Sequence, residues 1–167
     1  DGPESELTLT ENAQPALMAV SMAVVTVLAE NGVKLSENAA YVAGHSLGEY
    51  SALTASGALE LEDAARLLKL RGQAMQRAVP VGVGAMAALL GLDFEAVVEV
   101  AEEACQGEEI CAAANDNAVG QVVVSGHAAA VARAIDLAKE RGAKRAMELP
   151  VSAPFHCPLM QPAANEM

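Results

Sequence analysis

Between Gly84 and Leu149 the chain alternates short apolar runs with longer amphipathic ones, and this constrains its fold more than any other feature. GAMAALLGL reads as a strand. Asp93 is placed to cap the helix FEAVVEVAEEA with its side-chain oxygen. EICAAAN and GQVVVSG read as two further strands, HAAAVARAIDLAKERGA as a second helix and KRAMEL as a closing strand. The order β-α-β-β-α-β is the ferredoxin-like pattern. Aromatic residues make up 2% of the chain and Trp is absent, so the core has to be built from Ala, Val, Leu and Met. That composition suits helices on buried strands, and it removes the aromatic platforms that base-stacking nucleic-acid modules need.

The segment before it reads differently. PALMAVSMAVVTVLAENG predicts a long, mostly buried helix, with Pro15 in its first turn and Gly32 just past its end. Its apolar portion, Ala16 to Ala29, is shorter than the ~20 residues a membrane span needs. AAYVAG predicts a buried strand, SALTASGAL a helix, and LEDAARLLKLRGQAMQRAV an amphipathic helix with Leu61, Ala64, Ala65, Leu68 and Met75 near one face. A lone strand of the parallel type is not a sheet. It needs neighbours and helices on both faces, so its partners are expected outside this chain or on another one. The end, PVSAPFHCPLMQPAANEM, crowds prolines around Phe155 and His156 and predicts a constrained loop.

Between the expected strand and the helix after it lies Gly44-His45-Ser46-Leu47-Gly48, which matches G-x-S-x-G. In that pattern a sharp strand-to-helix turn, flanked by small residues, holds a serine out as a nucleophile. The following N–H, that of Leu47, faces an oxyanion with the helix dipole behind it. A plain tight turn is the competing reading. A serine nucleophile needs a base. His45 adjoins the serine and must point elsewhere. His127 opens a helix and reads as solvated or capping. His156, in its proline-braced loop, is the candidate base. Asp116 is a loop acid, but its spacing supports no triad; a backbone carbonyl would orient the histidine as well. Arg71 precedes Gly72, a mid-helix glycine that costs about 1 kcal/mol against Ala and so signals close packing. An arginine at such a contact is either turned inward to bind a carboxylate through its fork or simply exposed.

The charges limit the partners. Ten basic and 22 acidic residues give a net charge of −12, which disfavours DNA, RNA and anionic membranes. Three cysteines with no C-x-x-C suggest neither a disulfide framework nor a zinc site, and a reducing cytoplasm is the expected setting. The first residues, acidic and polar, show no secretory signal. The basic residues cluster: Arg66, Lys69, Arg71 and Arg77 in one helix, and Arg133, Lys139, Arg141, Lys144 and Arg145 in the later part of the chain. Exposed members of these clusters are candidates for steering an acidic partner.

AGHSLGEYSAL, then LLKLRGQAMQ, GQVVVSG and SAPFHC, with QPAL upstream, resemble in order the malonyl-CoA:acyl-carrier-protein transacylases, acyltransferases of fatty acid and polyketide synthesis. The resemblance implies a portion of an α/β-hydrolase-like parallel-sheet core with an inserted ferredoxin-like subdomain. The expected divisions are 1–81 for the core carrying the elbow, 82–150 for the small subdomain and 151–167 for the return to the core with the histidine loop. It implies a ping-pong transfer of malonyl from malonyl-CoA to the phosphopantetheine thiol of acyl carrier protein, with no metal and no cofactor of the enzyme's own. Ser46 would carry the acyl group, His156 would serve as base and then acid, Leu47 would give an oxyanion N–H, and Arg71 would pair with the malonyl carboxylate. Gln14 matches a glutamine near the active site and Asn117 an asparagine near the acyl pocket. Phe155 resembles a bulky residue that selects malonyl, and His45 completes the substrate-side set. The family's N-terminal strand and its segments beyond the histidine loop are not in this sequence, which therefore reads as a central portion. Two alternatives stand beside this: a serine hydrolase or thioesterase, which would not need Arg71, and an inactive domain that only docks carrier proteins.

Overall fold

The computed structural model describes residues 2–167. Contacts divide the chain into two compact units, Asp1–Gln73 and Ala74–Met167.

The first unit is helical: α1 (Glu4–Leu7), α2 (Thr10–Glu30), α3 (Leu35–Asn38), α4 (Gly48–Ala55) and most of α5 (Leu61–Ala78), which runs on past the division. Helix α2 starts earlier than its apolar run suggested, so Pro15 lies inside it rather than in its first turn. The turn before Pro15 is closed by Asn12 and Ala13, whose N–H groups both donate to the Leu9 carbonyl, 2.9 Å each. Pro15 removes one donor from the helix, that which would meet the Glu11 carbonyl. At 21 residues, α2 is long and apolar enough to cross a membrane by length and composition alone. It was expected to be mostly buried and is not. Only Thr10, Gln14 and Met18 are buried, one stripe at i, i+4 spacing. Leu17, Val20, Val24 and Val27 are each more than half exposed. The helix is apolar on all sides, and its unit covers one of them. Met18 packs with Ala64 and Leu68 of α5, and Met22, Leu47 and Tyr50 close around them.

The strand expected over AAYVAG does not form: residues 39–44 pair with no strand. Ala39 is extended, but Tyr41 is 93% exposed, and a cavity of about 300 Å³ opens between Val42–Gly44 and helices α2 and α4. An extended run becomes a strand only when a neighbour takes its hydrogen bonds.

The second unit follows the β-α-β-β-α-β order anticipated from sequence: β1 (Gly84–Leu90), α6 (Phe94–Ala104), β2 (Cys111–Ala118), β3 (Gln121–His127), α7 (Ala128–Glu140) and β4 (Arg145–Glu148). The sheet order is β2-β3-β1-β4, and every neighbouring pair is antiparallel. Asp93 caps α6, its Oδ1 accepting from the Ala96 N–H at 2.8 Å. Leu89, Val122 and Val124 of the sheet meet Val97, Val100 and Val131 of the two helices, each at most 1% exposed. Ala101, Ala104, Ala130, Ala134 and Ala138 pack in the same core. Small side chains let the helices lie close on the sheet, which is how an aromatic-poor chain closes a core.

Strand β2 is an edge strand and is irregular. Its register shifts between Ala113 and Asn115 and again between Asp116 and Ala118, leaving Asn117 as a bulge residue. Asp116 therefore lies in a strand and not in the loop expected for it. After β4 come a 3₁₀ turn (Pro158–Met160) and α8 (Gln161–Glu166). Ala153, Met160 and Ala163 pack on Ala74, Met75 and Val79 at the end of α5.

Most of the clustered basic side chains already have acidic partners. Arg66 pairs with Glu62 and Asp63, Lys69 with Glu11, Arg77 with Glu166, Arg133 with Glu109, Lys139 with Asp136, and Arg141 with Glu99 and Glu103. Lys144 and Arg145, at the entry to edge strand β4, are exposed and make no ion pair among the described residues.

Candidate active site

Only two non-glycine residues among those described have left-handed backbone, Ser46 (φ 52°) and His156 (φ 59°). This region is costly for a residue with a Cβ and persists where the surroundings over-determine it. Sequence reasoning had selected the same two residues as nucleophile and base.

Around Ser46 the constraint is steric. A Cβ on Gly44 would lie 1.8 Å from the Gly48 carbonyl oxygen and 2.4 Å from the Glu49 nitrogen. The incoming chain thus touches the start of α4, and only glycine fits. Gly48 has nothing within 4 Å of the same position, so of the two glycines in the motif only Gly44 is sterically required here. The N–H groups of Gly48, Glu49 and Tyr50 donate back to the carbonyls of His45, Ser46 and Leu47. The Leu47 N–H stands one residue before the first of these bonds, at the mouth of the helix.

Arg71 reaches the serine. Its Nη2 donates to Ser46 Oγ at 3.1 Å, and its Nη1 donates to Gln14 Oε1 at 2.7 Å. Its guanidinium carbon stands 5.9 Å from the centre of the Tyr50 ring, within cation–π range. Burial pulls the guanidinium below its ordinary pKa, while Tyr50 and Glu49 push the other way. The group stays charged, as arginine does in proteins. Gly72 explains the placement. A Cβ there would lie 2.4 Å from the Glu11 Cα and 2.8 Å from the Thr10 carbonyl oxygen, so α5 touches the first turn of α2 backbone to backbone. The close packing inferred from a mid-helix glycine is this contact. Lys69, three residues before Gly72, donates to Asn12 Oδ1 at 2.9 Å and ties the same two helices together.

The structure thus brings Ser46, Leu47, Arg71 and Gln14 together within the first unit, with His45 exposed beside the serine. His156, Phe155 and Asn117 belong to the second unit. There, Pro154 is pressed against Gly84, where a Cβ would come within 2.3 Å of the proline ring. Cys157 Sγ donates to the Pro154 carbonyl at 3.2 Å, and Gln76 Nε2 donates to the Ser152 carbonyl at 3.3 Å. Phe155 leans on the cluster of Ala74, Met75 and Ala153. His156 is exposed at the tip of this braced loop. Asn117 is exposed on the bulge of β2. His127 does open α7, but its side chain does not cap it; its Nδ1 accepts from the Ile110 N–H at 2.8 Å.

Two residues around Arg71 and Gln14 were not found from sequence, Tyr50 and Thr10. Tyr50 lies four residues after Ser46, and Thr10 lies four before Gln14. Within α2 the i, i+4 spacing puts Thr10 and Gln14 on one face.

The whole chain, residues 1–167, matches the model of the acyl transferase domain. The chain belongs to that family. Among curated members, the malonyl CoA-acyl carrier protein transacylase of Haemophilus influenzae is 51% identical over 99% of this chain and 52% of its own length. The crystal structure of an acyl-carrier-protein-S-malonyltransferase from Bartonella henselae matches with a TM-score of 0.92 and 59% identity, over 99% of this chain and 52% of that one. A structure of a type II PKS acyl-carrier protein in complex with its malonyl-transacylase matches with a TM-score of 0.93 and 49% identity, over 99% and 52% of the two chains. This acyltransferase chain spans about half the length of the relatives it matches.

Proposed function

We propose that the chain carries the acyl-loading site of a malonyl-CoA:acyl-carrier-protein transacylase. The observation that carries this reading is the hydrogen bond from Arg71 Nη2 to Ser46 Oγ. A guanidinium that reaches the serine oxygen in the free state can meet a carboxylate a few bonds further out once that oxygen is acylated.

The steps follow from the groups present. Ser46 Oγ attacks the thioester carbon of malonyl-CoA. The O–C bond forms, the C–S bond breaks, and the serine proton passes through His156 to the departing CoA thiolate. The Leu47 N–H donates to the oxyanion. In the second half the carrier's phosphopantetheine thiol attacks the seryl ester, and the proton returns to Ser46 by the same histidine. The role of His156 is the one the family resemblance implies, and its left-handed backbone in a braced loop supports it. Arg71 selects malonyl over acetyl, because acetyl would leave a half-buried cation without its carboxylate. Phe155 and Asn117 are proposed to line the acyl pocket, and His45 to contact substrate. This chemistry calls for no metal and no cofactor beyond the thioester. The setting is the cytoplasm. The architecture is proposed to be part of an α/β-hydrolase-like parallel core (1–81 and 151–167) around a ferredoxin-like subdomain (82–150).

Intact mass after mixing the protein with malonyl-CoA tests the reading. A malonyl adduct that is absent from Ser46→Ala and discharged by carrier protein is expected. An adduct discharged equally fast by water alone would make the protein a hydrolase, and no adduct at all would end the assignment.

A further inference from the structure

The Arg71 fork has two tines with different duties. Nη2 faces Ser46, and Nη1 is held by Gln14 Oε1. Gln14 is itself held at its other end: its Nε2 donates to Thr10 Oγ1 at 2.8 Å, one helical turn back on α2. Thr10 and Gln14 are 6% and 3% exposed, so water does not readily replace a bond lost between them. The backbone of Thr10 is fixed as well, because its carbonyl oxygen lies against Gly72, next to Arg71 in sequence. The threonine hydroxyl is thus set by backbone contact at a defined distance from the arginine it indirectly serves. A carboxamide is planar, so holding its nitrogen on Thr10 directs its oxygen at Nη1. Arg71 has only donors, so it can bond to the oxygen of Gln14 and not to the nitrogen.

We propose that Thr10 is a positioning residue for substrate selection: through Gln14 it fixes the Arg71 guanidinium with one tine aimed at Ser46. This rests on the transacylase reading for its consequence, and on the hydrogen-bonded chain alone for its mechanism. Glu49 lies on the neighbouring α4 and attracts the same cation, so an unanchored Arg71 has another place to go. Because the carboxylate pair exists in both ground and transition states, losing its alignment raises KM more than it lowers kcat.

The test compares Thr10→Val, which keeps the shape and removes the acceptor, with Thr10→Ser, which keeps the hydroxyl. For Thr10→Val we expect KM for malonyl-CoA to rise about tenfold, the loss of one buried hydrogen bond. Malonyl-to-acetyl selectivity falls by the same factor, and Thr10→Ser restores both. A purely structural role would lower the active fraction and kcat, leave KM and selectivity in place, and overturn the proposal. The second readout needs no activity. Hydrogen exchange of the Gln14 side-chain amide, followed by NMR, should quicken about tenfold or more in Thr10→Val and not in Thr10→Ser. Unchanged exchange refutes the positioning role. If the wild-type protein does not load malonyl, the transacylase reading fails on its own, and the exchange measurement still decides whether Thr10 holds Gln14.

Discussion

The two units of this chain solve the same packing problem with unequal means. The second unit closes a core of its own: two helices cover a four-stranded sheet, and fourteen residues form one buried cluster. The first buries Met18, Ala64 and Leu68 and leaves four large side chains of α2 more than half exposed. Yet the first unit holds the most constrained chemistry, a serine with left-handed backbone bonded to a half-buried arginine. The largest core and the serine–arginine bond are found in different units. The second unit supplies a self-sufficient scaffold. The first supplies precision through a few backbone contacts at Gly44 and Gly72, where no side chain intervenes.

The strongest way to break this contrast is to remove the arginine. Arg71→Ala should lower kcat/KM for malonyl-CoA by roughly a hundred- to a thousandfold, the scale of breaking a buried charge pair. Acetyl-CoA turnover should hold or rise. Measuring both thioesters side by side decides it: an equal fall for both would show that Arg71 shapes the serine and does not read the carboxylate.

Next in size is Gly44. Gly44→Ala forces a Cβ into backbone atoms of Gly48 and should cost the first unit about 3 kcal/mol. Gly48→Ala meets open space and should stay within about 0.5 kcal/mol of the parent. Urea denaturation of the two variants makes the comparison. Equal destabilisation would mean that the motif's glycines act through flexibility and not through the contact seen at Gly44.

These cases also show what was legible beforehand. Strands β1, β3 and β4 and helices α6 and α7 could be read because each is short, apolar on one face and closed between Gly84 and Glu148 by its own neighbours. The Asp93 cap follows from local chemistry alone. The strand over 39–44 could not be delivered by its own residues, because a strand is defined by a partner. The burial of α2 was overestimated for the same reason: apolar character records what a helix can bury and not what covers it. The bulge in β2 escaped notice because the strand was read as ending at Asn115 with Asp116 in a loop, while edge pairing with β3 carries the strand on to Ala118. Ser46 and His156 were singled out by their flanking glycines and prolines, and each has the left-handed backbone such a setting imposes. The bond between Gln14 and Arg71 joins residues 57 apart, and no spacing rule announces it.

The contrast in cores should appear in hydrogen exchange. Amides of β1, β3 and α7 should exchange roughly a hundredfold more slowly than those in the second half of α2, as expected when a region opens only with its whole core. Cys111 gives an independent probe of the same unit. Burial first, then the nearby Cys105 and Cys157 thiols, push it up to about 12, with Arg133 opposing. At pH 8 it should resist iodoacetamide until the second unit opens. The sign of the pH dependence follows: the unfolded thiol loses its proton first, so stability declines as pH rises from about 9 toward 12. Cys111→Ala should remove that part of the slope, and an unchanged slope would show that the thiol is not protected in the fold.

The smallest effect concerns the surface. Most of the basic residues that sequence grouped as a steering patch are paired with nearby acids, which leaves the exposed Lys144 and Arg145 beside the free edge of β4. If a chain of net charge −12 receives an acidic carrier protein, as the proposed function requires, it needs some local reversal of sign, and a pair of unmatched cations would provide it. Lys144→Glu with Arg145→Glu should raise KM for the carrier protein about three- to fivefold at low salt, with the difference fading as salt approaches a few tenths molar. Lys69→Glu should do less, because its charge is already spent on Glu11. If the order were reversed, the ion pairs of α5 would have to open on docking, and steering would belong to the unit that holds the serine.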